Sequence, residues 1–423
     1  MLTLGCKLNL ADSDEIARGL RERGFDVVDR ICEADAYVIN TCSVTHVADR
    51  KSRRLIRSVR RLSPSATVAV TGCHPQSAGF DAVMALGADL VVGTRDADKA
   101  ELFAFLAGPQ MLRNSHRGRC ATEPRPTTLH TRAFIKAQEG CNDVCAFCIV
   151  PRTRGREESR SIARVVEEVR VAVAEGVREV VVTGTQLGAW GRDFDPPLKP
   201  HHLIEGILEG TDVSRLRFSS LQPQDISPEL LALWADPRMM PHFHLALQSG
   251  GERTLSRMRR RYTALEFLLA AERIRAAVPE VAITTDVIAG FPGESDDDFA
   301  ETMALCKEVA FARIHTFPYS QRMRTAAARL PDQVPADALK ERTGQLISLG
   351  DELSRSFRNR FVGTVRPVLW ENERQSTDGP RWFGHTDNYI AAYTVGEALH
   401  NRIMPMRVRA VYDDGVSGTL AAW

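Results

Sequence analysis

The sequence has no apolar run that approaches the roughly 18 residues needed to span a membrane. Met1 is followed by Leu-Thr-Leu-Gly rather than by a basic and then apolar signal segment. These absences predict a cytoplasmic protein with no membrane partner. A strong charge of one sign is also missing: the formal net charge is +1, so any RNA-binding surface must be a local patch.

The sequence does not predict a disulfide framework either. The nine cysteines are an odd number in a long chain and are clustered, which favours metal ligands over disulfides. With 43% hydrophobic and 26% charged residues, the composition is that of a globular protein. At 423 residues the chain is too long for one ordinary core, and we expect two or three domains.

One cysteine motif dominates the sequence. Cys141, Cys145 and Cys148 form a C-x3-C-x2-C run that is followed by Ile-Val-Pro-Arg-Thr-Arg-Gly. Three thiolates on one short loop suit an iron–sulfur cluster, and three ligands on a four-iron cube leave one iron open. The alternatives are a structural zinc loop, which needs a fourth nearby ligand, and a chance group of buried cysteines.

A second cysteine trio is predicted at the edge of an N-terminal sheet. Alternating short strands and amphipathic helices over the first 105 residues indicate a parallel α/β sheet, with strands at 2–4, 36–40, 67–71 and 90–92. Three strands end in Leu-Gly-Cys6, Asn-Thr-Cys42 and Thr-Gly-Cys73, and the carboxyl ends of parallel strands share one edge. These cysteines therefore converge on one site, unless they are ordinary core residues. His46 and His74 are interpreted as structural or solvent-facing loop residues.

A basic stripe follows Cys42. In a helix predicted over 48–62, arginines recur at helical spacing, while Ala48, Leu55, Val59 and Leu62 share the opposite side. Such a stripe contacts a phosphate backbone or is a solvated face. The stripe consists of Arg50, Arg53, Arg54, Arg57, Arg60 and Arg61.

The remainder of the chain divides at a connector, residues 108–130, which contains Cys120. Residues 131–358 show six β/α units, typical of an incomplete (β/α)6 barrel whose site lies at the carboxyl ends of the strands. Polar and glycine-rich segments follow three of those strands, where backbone would approach a ligand closely. Their residues are Thr183, Gly184, Gln186, Gln248, Gly290 and Gly293. A basic cluster at 257–261 is interpreted as a solvated helix end or a phosphate contact.

Short alternating strands over 359–423 predict a small antiparallel barrel of the OB type. Several arginines and aromatic residues there suit the clamping of single-stranded RNA, and a plain packing module is the alternative. The arginines are Arg366, Arg381, Arg407 and Arg409, and the aromatic residues are Trp382, Tyr389 and Tyr393.

Taken in order, these motifs resemble the methylthiotransferases, a family of two-cluster radical S-adenosylmethionine (SAM) enzymes, over essentially the whole chain. Thr3-Leu-Gly-Cys6-Lys-Leu-Asn9 and Asn40-Thr-Cys42-Ser-Val-Thr-His-Val-Ala-Asp49-Arg-Lys-Ser-Arg53 look most like the branch that acts on threonylcarbamoyladenosine beside the tRNA anticodon. The resemblance implies an N-terminal cluster domain at 1–107, a radical SAM core at 131–358 and a TRAM domain at 359–423.

The resemblance also implies a chemistry. Cys141, Cys145 and Cys148 would hold a catalytic [4Fe–4S] cluster whose open iron binds SAM, and Cys6, Cys42 and Cys73 a second [4Fe–4S] cluster. One SAM would supply a methyl group and another a 5′-deoxyadenosyl radical, so that a methylthio group is attached to C2 of the adenine. The glycine-rich strand ends would form the SAM pocket. The implied partners are tRNA and an electron donor such as flavodoxin or ferredoxin.

Three stretches depart from the family pattern. Arg152 stands where a tyrosine is frequent, Leu221-Gln222-Pro223 where Ile-Glu-Pro is common, and Gln321-Arg322-Met323-Arg324-Thr325 where Arg-x-Gly-Thr is usual. The cluster assignments do not depend on them, but the substrate assignment does. The alternative substrates are isopentenyladenosine 37 and a ribosomal protein aspartate, and the non-enzymatic alternative is an RNA-binding protein whose clusters sense redox state.

Overall fold

The computed structural model describes residues 1–108, 131–376 and 379–422. Within these ranges the chain forms three successive parts, which we call the N-terminal unit (1–108), the barrel core (131–359) and the terminal barrel (360–422). Most of the predicted connector, Cys120 included, lies outside the described residues. No helix in the described ranges is long and apolar enough to cross a membrane.

The N-terminal unit is a four-stranded parallel sheet in the order β1-β2-β3-β4, which confirms the predicted fold class for this part. Val68 and Val70 of β3 pack with one group of helices, while Ala69 faces the helices on the other side, as the two-residue period of a strand requires. The strands are β1 (Leu2–Thr3), β2 (Ala36–Thr41), β3 (Thr67–Gly72) and β4 (Leu90–Val91). The helices are α1 (Lys7–Glu22), α2 (His46–Leu62), α3 (Cys73–Ala78), α4 (Phe80–Met84) and α5 (Asp96–Leu106).

The buried side of α2 differs from the predicted one. Asp49, Ser52, Ile56 and Val59 are buried, whereas Leu62 is 61% exposed. The helix is turned this way because Ser52 exchanges hydrogen bonds with the backbone of Cys42: its hydroxyl donates to the Cys42 carbonyl at 3.0 Å and accepts from the Cys42 amide at 3.3 Å. Polar residues of α2 thus hold the loop that carries a cysteine.

The barrel core is an open barrel whose six main strands are parallel, as predicted. Its third strand is interrupted at Ser219, so that β8 pairs in one sheet and β9 in the other. The strands are β5 (Arg132–Glu139), β6 (Glu158–Ser159), β7 (Glu179–Gly184), β8 (Arg215–Phe218), β9 (Ser220–Leu221), β10 (His242–Leu245), β11 (Ala282–Ala289) and β12 (Arg313–Pro318). The short β6 pairs antiparallel with β5.

Helices cover the outside of these strands. Four of them begin at hydroxyl caps, each of which accepts a backbone N–H from the first turn: Ser161, Ser227, Thr263 and Ser295. The helices are α6 (Val150–Thr153), α7 (Ile162–Ala174), α8 (Pro200–Gly210), α9 (Pro228–Ala232), α10 (Glu252–Arg257), α11 (Ala264–Ala277), α12 (Asp296–Val309) and α13 (Ala336–Asn359).

The terminal barrel is a closed five-stranded barrel in the order β13-β14-β15-β17-β16, as the OB-type prediction requires. It closes the amino-terminal end of the barrel core, because Arg215 donates to the carbonyls of Pro367 at 2.8 Å and His385 at 3.1 Å. Its strands are β13 (Val365–Ser376), β14 (Gly379–Thr386), β15 (Ala391–Thr394), β16 (Ile403–Tyr412) and β17 (Gly415–Leu420).

Candidate functional site

The N-terminal cysteines lie together at the carboxyl edge of their sheet. Thr41 pairs with Gly72 across β2 and β3, and Thr3 pairs with Asn40 across β1 and β2, so the three strands end at the same level. Two glycines with positive φ, Gly5 and Gly72, precede Cys6 and Cys73. A Cβ at Gly5 would lie 3.0 Å from the Cβ of Cys42, and one at Gly72 would lie 2.3 Å from the Thr41 carbonyl. Glycine therefore allows these three loops to approach one another.

The second trio lies on the loop after β5, and each of its thiols accepts one N–H. The Asp143 amide donates to the Cys141 sulfur at 3.3 Å, and the Val150 amide donates to the Cys148 sulfur at 3.4 Å. The Cys145 sulfur accepts from the guanidinium of Arg260 at 3.3 Å. Hydrogen bonds to thiolates orient metal ligands and tune the reduction potential of a cluster.

The spacing of both trios suits a cluster better than a single ion. Among the described residues, His244, Asp286 and His315 have ligand atoms that all lie within 4.8 Å of one another, and neither cysteine trio meets that spacing. Sulfurs on one zinc ion lie about 3.8 Å apart, given Zn–S bonds of roughly 2.3 Å. Sulfurs that bind separate irons of a cube are farther apart. The zinc alternative is therefore disfavoured for both sites.

Burial governs the protonation of these thiols. It raises the pKa of Cys42 and Cys141 to about 11 and that of Cys148 to about 12, and it also raises the pKa of Cys73. Backbone N–H groups oppose this effect, while the neighbouring thiols of each trio add to it. These four thiols are thus neutral near pH 7 when no metal is bound, and a metal that binds them must displace their protons.

A buried charge network joins the two cysteine sites. Arg154, six residues after Cys148, is 3% exposed and reaches into the N-terminal unit. Its guanidinium donates to Asn9 at 2.6 Å, to Asp12 at 3.0 Å and to Glu139 at 2.8 Å. Burial acts to raise the pKa of Asp12, but Lys136, Arg154 and Lys99 outweigh it and hold that pKa well below its usual range. The charges are therefore present and paired.

Arg322 makes a second connection between the units. It is 4% exposed and donates to Asp49 at 2.6 Å and to Ser43 at 2.9 Å. Asp49 also bonds to His74 at 3.0 Å, and His74 is the residue after Cys73. Burial favours the neutral form of Asp49, but hydrogen bonds from His74, Arg322 and Ser43 lower its pKa to about 2. Neither His46 nor His74 is a loop residue, contrary to the sequence-based interpretation, because each lies in the first turn of a helix.

The structure explains the departure at Gln222. Its side-chain amide donates to Asp143 at 3.3 Å, while its carbonyl oxygen accepts from Arg260 at 3.0 Å. A glutamate at this position has no N–H for Asp143, and two carboxylates would be in contact. Arg260 was expected to be a solvated helix end or a phosphate contact. It instead links Gln222 to Cys145.

The departure at Arg324 carries a backbone cost. This residue has φ +72°, a conformation that favours the glycine usual in the family. Arg324 is exposed, the neighbouring Met323 is 81% exposed, and Arg152 is exposed in α6, the short helix after Cys148. The structure gives no account of why arginine replaces tyrosine at position 152.

The predicted cofactor residues lie at or near the strand ends, and their contact with a cofactor stays a prediction; at two of the glycines a side chain would have no room. A Cβ at Gly290 would meet the Leu339 side chain at 2.4 Å, and one at Gly293 would meet Arg257 at 2.4 Å. Both glycines therefore accommodate this chain's own side chains. Thr183 and Gly184 are the last two residues of β7, while Gln186 follows β7 and Gln248 follows β10; Thr183 and Gln186 are buried.

The predicted RNA-binding arginines divide into two groups. Arg50, Arg53, Arg54 and Arg57 are exposed on α2 and have no ion-pair partner among the described residues. Arg60 is different, because it pairs with Asp89 at 2.5 Å and donates to three carbonyls.

In the terminal barrel, Arg366 is 7% exposed and forms ion pairs with Asp387, at 2.7 Å, and with Glu280. This position corrects the expectation that Arg366 contacts RNA: it attaches the terminal barrel to the core. Arg381 is partly buried, with its guanidinium 5.1 Å from the ring centre of Tyr412. Arg407 and Arg409 are exposed.

Comparison with known proteins identifies two matching regions. Residues 1–93 match the uncharacterized protein family UPF0004, and residues 135–306 match the radical SAM superfamily. The threonylcarbamoyladenosine tRNA methylthiotransferase MtaB of Bacillus subtilis is 35% identical, over 96% of this chain and 92% of that protein. The tRNA-2-methylthio-N(6)-dimethylallyladenosine synthase of Acidothermus cellulolyticus is 37% identical, over 96% of this chain and 84% of that protein.

Two solved structures share the fold. The radical SAM methyltransferase TsrM of Kitasatospora setae has a TM-score of 0.54 and 16% identity, covering 75% of this chain and 74% of its own. The cobalamin-dependent radical SAM enzyme OxsB has a TM-score of 0.50 and 12% identity, covering 84% of this chain and 56% of its own. At such identities the likeness concerns the fold alone.

Proposed function

This chain belongs to the methylthiotransferase family of radical SAM enzymes, and from that premise we propose that it attaches a methylthio group to C2 of N6-threonylcarbamoyladenosine at position 37 of tRNA. The observation that carries the proposal is the presence of two cysteine trios in one molecule, joined by the buried contacts of Arg154 and Arg322. Transfer of sulfur to an unactivated carbon needs two such centres at a fixed separation.

The choice of substrate is supported by relatives from two distant bacteria. Besides the Bacillus subtilis protein, the MtaB of Thermotoga maritima is 33% identical over 98% of this chain and 95% of that protein. The second candidate substrate is isopentenyladenosine 37, because the 37% identical relative from Acidothermus cellulolyticus is named for a dimethylallyladenosine product. Both candidates require the same reaction at C2, so they differ in how the N6 substituent is bound.

The family implies a [4Fe–4S] cluster and SAM at Cys141, Cys145 and Cys148, and we propose a second [4Fe–4S] cluster at Cys6, Cys42 and Cys73. When bound, these groups supply the electron, the radical chemistry and the sulfur that the reaction requires. The chain holds the first trio with the N–H groups of Asp143, Val150 and Arg260. An electron donor such as flavodoxin or ferredoxin is part of the proposal.

The exposed arginines of α2 are proposed to bind the tRNA backbone. The helix begins beside the carboxyl end of β12, since the His46 amide donates to the Ser320 hydroxyl on the loop after that strand at 3.1 Å. Replacing Arg53, Arg54 and Arg57 with Glu should weaken tRNA binding and reduce its dependence on salt.

A matched control is charge reversal of Arg170, Arg273 and Arg355, which are exposed on the outer helices of the core. If both triple variants lose the same affinity, the effect reflects net charge and the stripe is a solvated face.

The experiment that tests the reaction is mass spectrometry of nucleosides from bulk tRNA, in cells without this gene and in the same cells with it restored. Loss and recovery of the methylthio form of threonylcarbamoyladenosine would establish the reaction and the substrate. If the isopentenyl form alone responds, the second candidate holds.

The two trios can be separated in vitro. The Cys42→Ala variant should still cleave SAM and yet fail to transfer a methylthio group, because the first trio remains complete. Loss of SAM cleavage in that variant would contradict separate roles for the two sites.

A further inference from the structure

A cavity of about 270 Å³ lies between the inward faces of β10–β12 and the terminal barrel. Polar side chains from three separate parts of the chain line it. Its walls include Lys7 from the N-terminal unit, His242 and His315 from the core, and Tyr389 and Asn388 from the terminal barrel. Lys7 follows Cys6 directly, so the cavity is linked through one residue to the N-terminal cysteine site.

Lys7 brings to this cavity a positive charge that has no direct partner among the described residues. Its ammonium lies 5.9 Å from the ring centre of Tyr389 and has no ion pair or hydrogen bond with a described residue. No acid makes a direct contact with it among the described residues: Asp286, whose pKa Lys7 helps to lower from a distance, lies 3.3 Å from His244, and Asp414 accepts the Tyr393 hydroxyl at 2.7 Å. A partly buried ammonium without a partner favours an anionic ligand.

Two other cations line the cavity, and their surroundings differ from those of Lys7. Arg358 donates to the carbonyls of Asp413 at 2.9 Å and Gly415 at 3.2 Å, and Arg313 is exposed. Lys7 is therefore a half-buried cation on this wall whose ammonium has neither an ion pair nor a hydrogen bond with a described residue.

Neutral hydrogen-bonding groups surround this charge. Burial lowers the pKa of His242 well below its usual value and that of His315 to about 4, so both rings are neutral near pH 7. His242 is 3% exposed, yet its Nδ1 has no hydrogen-bond partner among the described residues. A buried polar atom of this kind costs free energy unless a ligand satisfies it.

We propose that the cavity holds the N6 substituent of the target adenosine and that Lys7 determines specificity by pairing with the carboxylate of that substituent. This inference rests on the proposed function. A threonylcarbamoyl group offers a carboxylate for Lys7 and hydroxyl and amide groups for the histidines. An isopentenyl group offers only hydrocarbon and would leave Lys7 and His242 without partners. Sites built from buried polar groups reject analogues that cannot pair with them.

The test measures binding to cluster-loaded enzyme of three anticodon stem-loop RNAs, which carry threonylcarbamoyladenosine, its methyl ester or unmodified adenosine at position 37. Lys7→Gln should weaken binding of the threonylcarbamoyl RNA about 10- to 100-fold, as expected for loss of a charged hydrogen bond. The methyl ester should bind wild type as weakly as the acid binds Lys7→Gln, and the variant should not distinguish acid from ester. Lys307→Gln, exposed on α12 of the core, is the control.

Iron content must match wild type in each variant, because Lys7 adjoins a cysteine ligand. If Lys7→Gln weakens all three RNAs equally, Lys7 is a general RNA contact and the inference is wrong. Another outcome is that wild type binds the threonylcarbamoyl RNA more tightly than the unmodified RNA, yet binds the methyl ester equally well and loses no affinity in Lys7→Gln. In that case the inference fails while the proposed function stands. If wild type makes no methylthio product from the threonylcarbamoyl RNA, the proposed function itself fails.

Discussion

The hydrogen bond from Arg260 to Cys145 predicts an effect on the potential of the bound cluster. The guanidinium donates to the Cys145 sulfur at 3.3 Å, to Gln222 at 3.0 Å and to the Tyr262 oxygen at 3.0 Å. Three partners fix its position, and the positive charge lies beside a sulfur that gains negative charge when the cluster is reduced. Arg260→Gln should therefore make reduction harder and lower the midpoint potential.

The size of the effect follows from the distance. A unit charge about 6 Å from the centre of a cluster, at an effective dielectric constant of about 20, contributes about 3 kcal/mol. For a one-electron couple, 1.4 kcal/mol corresponds to about 59 mV, so the upper limit of the decrease in midpoint potential is about 120 mV. Because Arg260 is partly buried and solvent screens part of its charge, we expect a decrease on the order of 50 to 100 mV.

The assay is a redox titration monitored by electron paramagnetic resonance, in a Cys6/Cys42/Cys73→Ala background that leaves the trio on the loop alone. Arg259→Gln is the matched control, since it removes an equal charge from an exposed neighbour. A shift in Arg260→Gln no larger than that of the control would refute the reasoning, provided that both proteins bind the same amount of iron.

Three further predictions concern stability. Because Arg324 has φ +72°, Arg324→Gly should be more stable than Arg324→Ala by about 1 kcal/mol in urea denaturation, and equal stability would argue against a left-handed backbone there. Arg322→Met leaves the buried Asp49 without its cation and should destabilise the N-terminal unit by about 3 kcal/mol, seen as faster hydrogen exchange in α2. Burial raises the pKa of Asp225 from 3.8 to about 6, so its contribution to stability is greatest below pH 3.8 and is lost as pH rises through 6. Asp225→Asn should therefore gain up to about 3 kcal/mol over wild type at pH 7.5 and little at pH 4, and a pH-independent difference in thermal unfolding would contradict this.

The sequence by itself determined the cysteine sites and the order of the parts. The spacing of Cys141, Cys145 and Cys148 places three sulfurs on one loop whatever surrounds it. The convergence of Cys6, Cys42 and Cys73 follows from three strands that end alike in a parallel sheet, because parallel strands share an edge. Both features depend on local spacing and on strand direction, which a sequence pattern reveals.

Only the tertiary structure decided which arginines serve the site and which serve the fold. Arg60 and Arg366 resemble surface cations in the sequence, yet Arg60 forms an ion pair with Asp89 and Arg366 forms one with Asp387. Arg260, Arg154 and Arg322 were missed as site residues. Each stood in a stretch that the sequence singled out: Arg154 just after the third cysteine, Arg260 in the basic cluster at 257–261, and Arg322 in the departing stretch at 321–325. None of these stretches predicted the partner of its arginine.

The physical reason is the distance along the chain. The partner of Arg322, Asp49, lies 273 residues away, and that of Arg154, Asp12, lies 142 residues away. Local periodicity predicts where a side chain lies on its own helix or strand, and it holds no information about the charge that a separate unit brings to it. The orientation of α2 about its own axis shows the same limit. A helical wheel predicts that apolar residues are buried, whereas packing against the Cys42 loop buries Asp49 and Ser52.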